Sequence, residues 1–365
     1  MTLLDARLKS SIACEEILNW VRMGRFSPGD RLPSERAMAK ELRMNHLTVR
    51  RGLAELVSRG VIQKRRNVGN FVAGATPVVE TAIVLPHYVL HGTAPHPYFS
   101  HVVAGIQSAI GHTPATLILS YRPGRLWEDV GNELVSRRIG GIILGPGADV
   151  TVEDVRRIQQ AGIEIVLIKP NLLLMPLQLC SVLVDVFNPT AELVEGMLAR
   201  GHRQITIVQY EQNPIVQFER MIIDTVFRRW GLAEGPRYLG IPANASSIDF
   251  SVLNRIFDDG PRSSAVLLFD EFMASAMFRL CFERNILIPA DLSIASVQDS
   301  APATHPVPLT AGDSAAAGRE QGRVAAQLLS RLTRGERPAE RRIHIACDVR
   351  WQASLSTLNR STLNS

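Results

Sequence analysis

The chain has 365 residues, 46% of them apolar, which is long for one ordinary domain and apolar enough to bury sizeable cores. No stretch approaches the ~20 uncharged apolar residues of a membrane helix, and the opening "MTLLDARLKSSIACEEILNW" is broken by Asp5, Glu15 and Glu16 where a signal peptide would be continuously apolar. Charge is unevenly spread: residues 1–74 carry 14 Lys and Arg against 7 Asp and Glu, and the remaining 291 carry 26 against 28, the pattern of a small module that meets a polyanion beside a larger one that does not.

A helix is expected over residues 5–23, where Leu8, Ile12, Ile17 and Val21 lie close to one stripe. The turn-rich "GRFSPGDRLPSE" ends it. Ser34 is placed to cap a second, short helix over 35–42 that buries Met38 and Leu42. Asn45 can cap a third, in which Val49, Leu53, Leu56 and Val57 form one apolar stripe and which Gly60 ends. "VIQKRRNVGNFVA" then reads as strand, turn, strand: 61–65, a tip at 67–70, and 71–73. Three helices and a hairpin within residues 1–74 are the order of a winged helix-turn-helix, whose recognition helix meets base edges with its opening residues. His46, Leu47, Thr48 and Arg50 occupy that place. Arg50 suits a bidentate contact to guanine, and Leu47 or Thr48 suits a thymine methyl. Arg36, Lys40, Arg51, Lys64, Arg65 and Arg66 suit phosphates, which position without specifying.

"PGDRLPSERAMAKEL…TVRRGLAELVSRGVIQKRRNVGNFV" closely resembles the DNA-binding domain of GntR-type bacterial regulators over about residues 10–73, with turn, helix and wing in order. The resemblance implies DNA contacts from Arg36 of "PSER", from His46, Leu47, Thr48 and Arg50, and from the wing tip, Asn67 to Gly69. His46 and Leu47 stand where the family often has Arg and Thr. Gly52 replaces a usual Ala, at about 1 kcal/mol of helix propensity. The base sequence read is therefore expected to differ from that of typical members.

A linker of small residues over 75–80 leads into a different pattern. Apolar runs at 81–86, 115–121, 141–146, 163–170, 181–185, 204–210, 264–270 and 292–299 alternate with helical segments at 99–110, 126–138, 151–161, 188–200, 217–231 and 271–284. This predicts an α/β body of two doubly wound lobes, each a parallel sheet covered on both faces. No GxGxxG or Walker sequence appears, and no cofactor is expected. Ligands of such sheets bind beyond the carboxyl ends of the strands. That position nominates Tyr121, Gly145, Lys169, Tyr210, Asp270, Gln298 and Asp299, each equally explicable as a structural loop residue. Cys14, Cys180, Cys281 and Cys347 lie far apart and fit no zinc or CxxC spacing. They are expected as buried thiols in a reducing cytoplasm, with no metal site.

The order of elements from 81 to 354 resembles the effector domain of LacI/GalR-type repressors, which is related to periplasmic sugar-binding proteins. "SVLVDVFNPTAELVEGMLARGHRQITIV" carries the likeness most specifically, with "HPYFSHVVAGI", "RRIGGIILGP", "AVLLFDEFMASAMF", "IPADLSIASVQD" and "DVRWQAS". It implies a body over 81–358 with two lobes joined by three crossovers, a ligand cleft between them and homodimerisation along them. Lobe one is expected over about 81–187 and 297–321, and lobe two over about 188–296 and 322–355. Arg220 and Asp270 match positions that hold sugar hydroxyls in the family, and Phe99 of "HPYFSHVVAGI" is counted with the effector residues. Two further cleft positions, commonly Asp, read Lys169 and Gln298 here, and Lys169 is the only lysine after Lys64. That exchange makes the cleft more positive, so a sugar acid or sugar phosphate stands beside a neutral sugar as the expected ligand.

A GntR-type head on a LacI-type body is the architecture of arabinose-responsive repressors. The expectation is a cytoplasmic, non-enzymatic transcription regulator, a homodimeric repressor of carbohydrate-related genes on palindromic double-stranded DNA. Its effector would alter lobe closure and the spacing of the two heads. One rival is a GntR-type head fused to a pyridoxal-phosphate enzyme domain with Lys169 as its lysine, for which the body is short. Another is a solute receptor that binds no DNA, against which the basic head argues.

Overall fold

The computed structural model describes residues 3–22, 24–27, 29–58, 61–65, 68–72, 81–91, 97–110, 117–145, 150–169, 174, 177–211, 215–244, 247–258, 263–301 and 305–358. The head begins with α1 (Leu3–Arg22), α2 (Glu35–Glu41) and α3 (His46–Ser58) and continues into an antiparallel hairpin of β1 (Ile62–Arg65) and β2 (Gly69–Val72). Ser34 caps α2 by accepting from the Ala37 amide at 3.2 Å, and the Asn45 side chain accepts from the Leu47 amide at 2.8 Å to open α3. Ile17 and Leu18 of α1, Met38 of α2, Val49, Leu53 and Leu56 of α3, and Ile62 and Val72 of the hairpin form one core. Gly52 acquires a packing reason here. A Cβ on it would lie 2.9 Å from the Cys14 amide nitrogen and 3.1 Å from the Ser10 carbonyl oxygen, so its absence lets α1 lie against α3. Gly60 and the 75–80 linker fall outside the described residues.

The first lobe opens with β3 (Thr81–Pro86), α4 (His87–His91), α5 (Pro97–Ile110), β4 (Leu117–Tyr121), α6 (Leu126–Ser136), β5 (Gly141–Leu144), α7 (Val152–Gln160), β6 (Glu164–Ile168) and β7 (Cys180–Val184). The second contains α8 (Phe187–Ala199), β8 (Ile205–Tyr210), α9 (Val216–Arg229), β9 (Arg237–Ile241) and a short hairpin of β10 (Ala243–Asn244) and β11 (Ser247–Ile248). A 3-10 turn (Phe250–Asn254), α10 (Arg255–Asp258), β12 (Ala265–Leu268), α11 (Glu271–Glu283), β13 (Ser293–Asp299) and β14 (Thr310–Asp313) follow. The chain then runs through α12 (Ser314–Thr333), β15 (Arg342–Ile345) and β16 (Val349–Arg350).

One six-stranded sheet has the order β15-β7-β6-β5-β3-β4 and is parallel throughout. The other has the order β16-β14-β13-β12-β8-β9 and is parallel except where β16 meets β14. The central strands are apolar on both faces because helices cover both, as in β5 and β12, which are buried at every residue. The chain passes between the sheets after β7, β14 and β15, three crossovers in all.

The expected lobe bounds need correction. β13 pairs with β12 from Ala265↔Ser293 to Leu268↔Ser296, and β14 joins β13, so 293–313 belongs to the second sheet. β15 pairs with β7 from Arg342↔Ser181 to Ile345↔Val184, and the α12 residues Ala317, Ala325 and Leu329 join the first lobe's core. Of the spans 297–321 and 322–355, only 314–321 and 349–355 lie in the lobes expected for them.

Helices α5 and α12 cross at near-backbone contact. A Cβ on Gly322 would sit 2.0 Å from the Val102 carbonyl oxygen, and one on Gly105 would sit 1.9 Å from the Arg319 carbonyl oxygen. Backbone cannot yield as a flexible side chain does. Gly322→Ala is therefore expected to destabilise the body by about 1–3 kcal/mol through forced separation of the helices, read as a lowered urea midpoint. An unchanged midpoint would refute the close crossing.

Candidate DNA interface and interlobe cleft

The head presents an open basic face. His46, Leu47, Arg50 and Arg51 on α3 are exposed and Thr48 is half-buried, while Val49 and Leu53 fill the core behind them. Leu47 is 53% exposed, a large apolar side chain at the opening of a helix. Arg36 and Lys40 on α2 and Lys64 on β1 are exposed on neighbouring elements. Gly69 opens β2 with φ +132, backbone that a side chain rarely adopts. The Nε of Arg31 lies 3.1 Å from where its Cβ would stand. Sequence reasoning did not single out Arg31, which sits in the "GDR" turn and forms a bridge to Phe71. Arg65 belongs to β1, whereas Arg66 and Asn67 fall outside the described residues.

In the body the carboxyl ends of the two sheets face each other across the interlobe junction. Lys169 follows β6 with φ +50, a left-handed conformation that costs a residue with a Cβ roughly 1–2 kcal/mol. Its Nζ rests 4.1 Å from the centroid of the Tyr98 ring and 5.8 Å from that of Phe99, both on α5. Burial pulls the Lys169 ammonium down from its usual range, opposed by the negative charges of Glu271 and then Asp270 in the other lobe. Burial likewise pushes the Glu271 carboxyl up, opposed by a hydrogen bond from the Ser300 hydroxyl and by the charge of Lys169. The Ser300 carbonyl returns across the junction, accepting from His101 Nε2 of α5 at 2.8 Å. An Arg319 guanidinium nitrogen lies 3.1 Å from His101 Nδ1. Because that nitrogen only donates, Nδ1 accepts and the ring hydrogen is on Nε2.

Asp270 caps α11, accepting from the Met273 amide at 2.8 Å through one oxygen and from the Tyr210 hydroxyl at 2.6 Å through the other. Arg220, on the second turn of α9, donates from Nε to Gln209 Oε1 at 3.1 Å and lies 4.6 Å over the Tyr238 ring. Phe99, Lys169, Tyr210 and Asp270 are thus brought to one junction. Tyr121 instead is 1% exposed and packs in the first lobe's core with Leu126 and Val130. Gly145 is structural, since a Cβ there would meet Leu85 at 2.6 Å. Gln298 is half-buried on β13, its carbonyl accepting from the Ser296 hydroxyl at 2.8 Å. Asp299 is fully buried and accepts from Arg350, His305 and the Ala301 amide, so its carboxylate serves the fold. Sequence reasoning missed Tyr98, His101, Glu271 and Ser300. The only signals were adjacency to Phe99, Asp270 and Asp299.

Gln209 links Arg220 to another buried group, donating from Nε2 to Glu219 at 3.3 Å. Burial pushes the Glu219 carboxyl up to about 7, the Gln209 bond opposing it. A carboxyl raised above its unfolded value contributes stability that is full below the ordinary carboxylate range and is lost as pH rises through about 7. Glu219→Gln should remove that loss and be more stable than the parent at pH 8 by on the order of 2 kcal/mol. Urea unfolding at pH 5 and pH 8 checks this, and an equal difference at both would sink it.

Among the described residues no helix is long and apolar enough to cross a membrane, and no group of His, Cys, Asp and Glu could hold a metal ion.

Residues 9–72 match the bacterial regulatory proteins of the gntR family, and residues 194–355 match the periplasmic binding protein-like domain. The chain thus joins a GntR-type helix-turn-helix domain to a periplasmic-binding-protein-like body, the build of a DNA-binding transcription regulator. Within that class it is similar to the arabinose metabolism transcriptional repressor of Halalkalibacterium halodurans, 24% identical over 317 residues that make up 80% of each chain. It is also similar to the arabinose metabolism transcriptional repressor of Geobacillus stearothermophilus, 24% identical over 138 residues, and there the match spans only 36% of either chain. Among solved structures, a LacI family regulator from Enterococcus faecium with bound ribose superposes with a TM-score of 0.62 at 17% identity, over 76% of this chain and 100% of that one. A periplasmic binding protein/LacI transcriptional regulator from Alkaliphilus metalliredigens complexed with D-xylulofuranose gives 0.60 at 13% identity, over 77% and 100%. At those identities the likeness is one of fold.

Proposed function

We propose that the protein is a cytoplasmic repressor of carbohydrate-related genes that binds a palindromic operator as a homodimer and takes a small sugar or sugar-derived effector between its lobes. The observation that carries this reading is the pairing of an exposed basic recognition helix with a body whose two sheets face each other by their carboxyl ends. DNA is met by Arg36, His46, Leu47, Thr48 and Arg50, with Arg51, Lys64, Arg65, Arg66, Asn67 and Gly69 at the backbone and wing. The effector is met by Phe99, Lys169, Tyr210, Arg220, Asp270 and Gln298. The similarity to arabinose metabolism repressors and to regulators solved with bound ribose and D-xylulofuranose supports a sugar as the effector class. Closing the lobes on it shifts the population between two spacings of the heads.

Selection of binding sequences from a random DNA pool tests this, with thermal-shift titration of a sugar panel alongside. An inverted repeat and at least one stabilising sugar are expected. Recovery of no enriched sequence would overturn the DNA-binding reading. Within the head, Arg50→Ala is expected to relax preference at one base pair by about 1–3 kcal/mol. Lys64→Ala should instead weaken all DNA sequences about equally and lower the salt slope by roughly one. Unchanged sequence preference in Arg50→Ala would exclude α3 as the reading element.

A further inference from the structure

Strand β8 is apolar on the face that packs with α9, where Ile205 and Ile207 join Ile223 and Phe227 in the second lobe's core. The next residue on that face is Gln209, which is buried as completely as they are. An amide at the end of such a stripe is costly unless its oxygen and its nitrogen both find partners. Both do, and the partners are consecutive residues of α9. Gln209 Oε1 accepts from Arg220 Nε at 3.1 Å, and Gln209 Nε2 donates to Glu219 Oε2 at 3.3 Å. The chemistry of the partners fixes which way the amide lies. A guanidinium only donates, so the amide oxygen faces Arg220 and the amide nitrogen faces an acceptor, which the buried Glu219 carboxyl supplies. Glu219 thus holds Gln209, and Gln209 holds Arg220. The guanidinium is steadied on a second side, where its carbon lies 4.6 Å from the centroid of the Tyr238 ring. That ring is fixed in turn, its hydroxyl donating at 2.7 Å to Oδ1 of Asp224, one turn beyond Arg220 on α9. Nε is thereby occupied inside the protein, and the Nη end of the fork is left for a ligand.

We propose that Gln209 and Glu219 are positioning residues of the effector site: a buried carboxyl–amide relay that sets the Arg220 guanidinium in its ligand-holding orientation, so that effector affinity depends on both of them through Arg220. The proposal rests on the reading of Arg220 as an effector residue. An arginine held only by its stem has to be ordered by the ligand at the moment of binding. One already bonded at Nε and laid on a fixed ring does not, and the difference appears as affinity. The planar fork makes the orientation specific, since fixing Nε and the plane also fixes where both Nη donors stand.

The experiment uses the full chain in two arms, with arabinose, ribose and glucose as probes in the first. Gln209→Met keeps the length of the side chain and removes both hydrogen bonds. It should weaken calorimetric binding of whichever probe the wild type takes by about tenfold and leave DNA affinity unchanged. In an Arg220→Ala background, read by melting shift at high sugar concentration so that weak binding still shows, the same change should have no further effect. A comparable loss there would show that Gln209 acts on the fold at large and would overturn the proposal. Gln209→Glu combined with Glu219→Gln rebuilds the relay with carboxylate and amide exchanged, the carboxylate accepting from Arg220 and the amide donating to it. The exchange should return affinity to within about threefold of the wild type. An exchanged protein that melts like the wild type and recovers nothing overturns the relay. In the second arm, melting of the ligand-free protein is followed through a double-mutant cycle of Gln209→Met and Arg220→Ala. Arg220→Ala alone strands the buried Gln209 oxygen, so the double variant should lose less than the sum of the singles, and strict additivity overturns the relay. If no probe binds the wild type, the reading of Arg220 as a sugar-holding residue falls instead, and the cycle still decides the relay.

Discussion

Replacing Arg350 by methionine should cost the body about 3–5 kcal/mol, because it strands a fully buried carboxylate. Arg350 Nη2 lies 3.1 Å from Asp299 Oδ2, and its Nε lies 3.5 Å from Asp313 Oδ2. Asp299 ends β13, Asp313 ends β14 at the second crossover, and Arg350 follows the third, so one guanidinium ties the ends of β13 and β14 to the strand that arrives by the last crossover. Burial alone would raise the Asp299 carboxyl, but the His305 bond, the Ala301 amide and the Arg350 charge overcome it and hold the group below the usual range. A depressed carboxyl contributes stability that is present above its unfolded pKa and is lost as pH falls through the folded value. Arg350→Met should therefore lower the urea midpoint strongly at pH 7 and less at acid pH. A loss independent of pH would show that the methionine fails by packing, and no loss would show that Asp299 finds another partner.

The second large effect is on the effector. Arg220→Ala should weaken effector binding by about 2–5 kcal/mol, since a polar ligand enclosed between lobes finds no water to replace a lost donor. The geometry preorganises the side chain. Gln209 occupies Nε and the Tyr238 ring supports the guanidinium plane. Among the described residues the terminal nitrogens make no other hydrogen bond, so they are free to meet hydroxyls. DNA affinity in the absence of effector should hardly move. Calorimetric titration with whichever panel sugar stabilises the wild type gives the affinity, and filter binding to operator gives the control. An unaltered sugar affinity would remove Arg220 from the site.

The head was legible because its signals are local. Ser34 and Asn45 cap helices within three residues of themselves, and the stripe of Val49, Leu53 and Leu56 needs no distant partner to be recognised. The central strands were legible because burial on both faces leaves an uninterrupted apolar run. Helix α12 was not foreseen. Its buried face is built largely from Ala315, Ala317, Gly318, Gly322, Ala325 and Ala326, which carry little hydrophobic contrast, and the glycines that allow its close crossing lower its apparent helix propensity. Without α12 the return of the chain to the first sheet was invisible, and the lobe bounds went wrong with it. In the cleft, position after a strand picked out Lys169, Tyr210 and Asp270 but could not tell that Tyr121 turns into the core or that Asp299 is claimed by Arg350. The contacts that join the lobes at the cleft link residues such as His101 and Ser300, 199 positions apart. No local pattern encodes such a pair.

The late return of α12 and β15 to the first sheet also orders the birth of the molecule. Chains emerge from the ribosome amino end first, and units fold as they become complete. The head can close as soon as β2 is out. The first lobe is begun next, yet its α5 surface, with Val102 and Ile106, has no cover until residue 333, and the edge of β7 stays open until residue 345. The second lobe's strands through β14 are all made in the interval. A nascent chain thus carries a finished head on an unfinished body for most of its synthesis, and any chain cut between α11 and α12 keeps an uncovered apolar helix and a free strand edge. Such a fragment presents an apolar face and an open edge that invite proteolysis or aggregation.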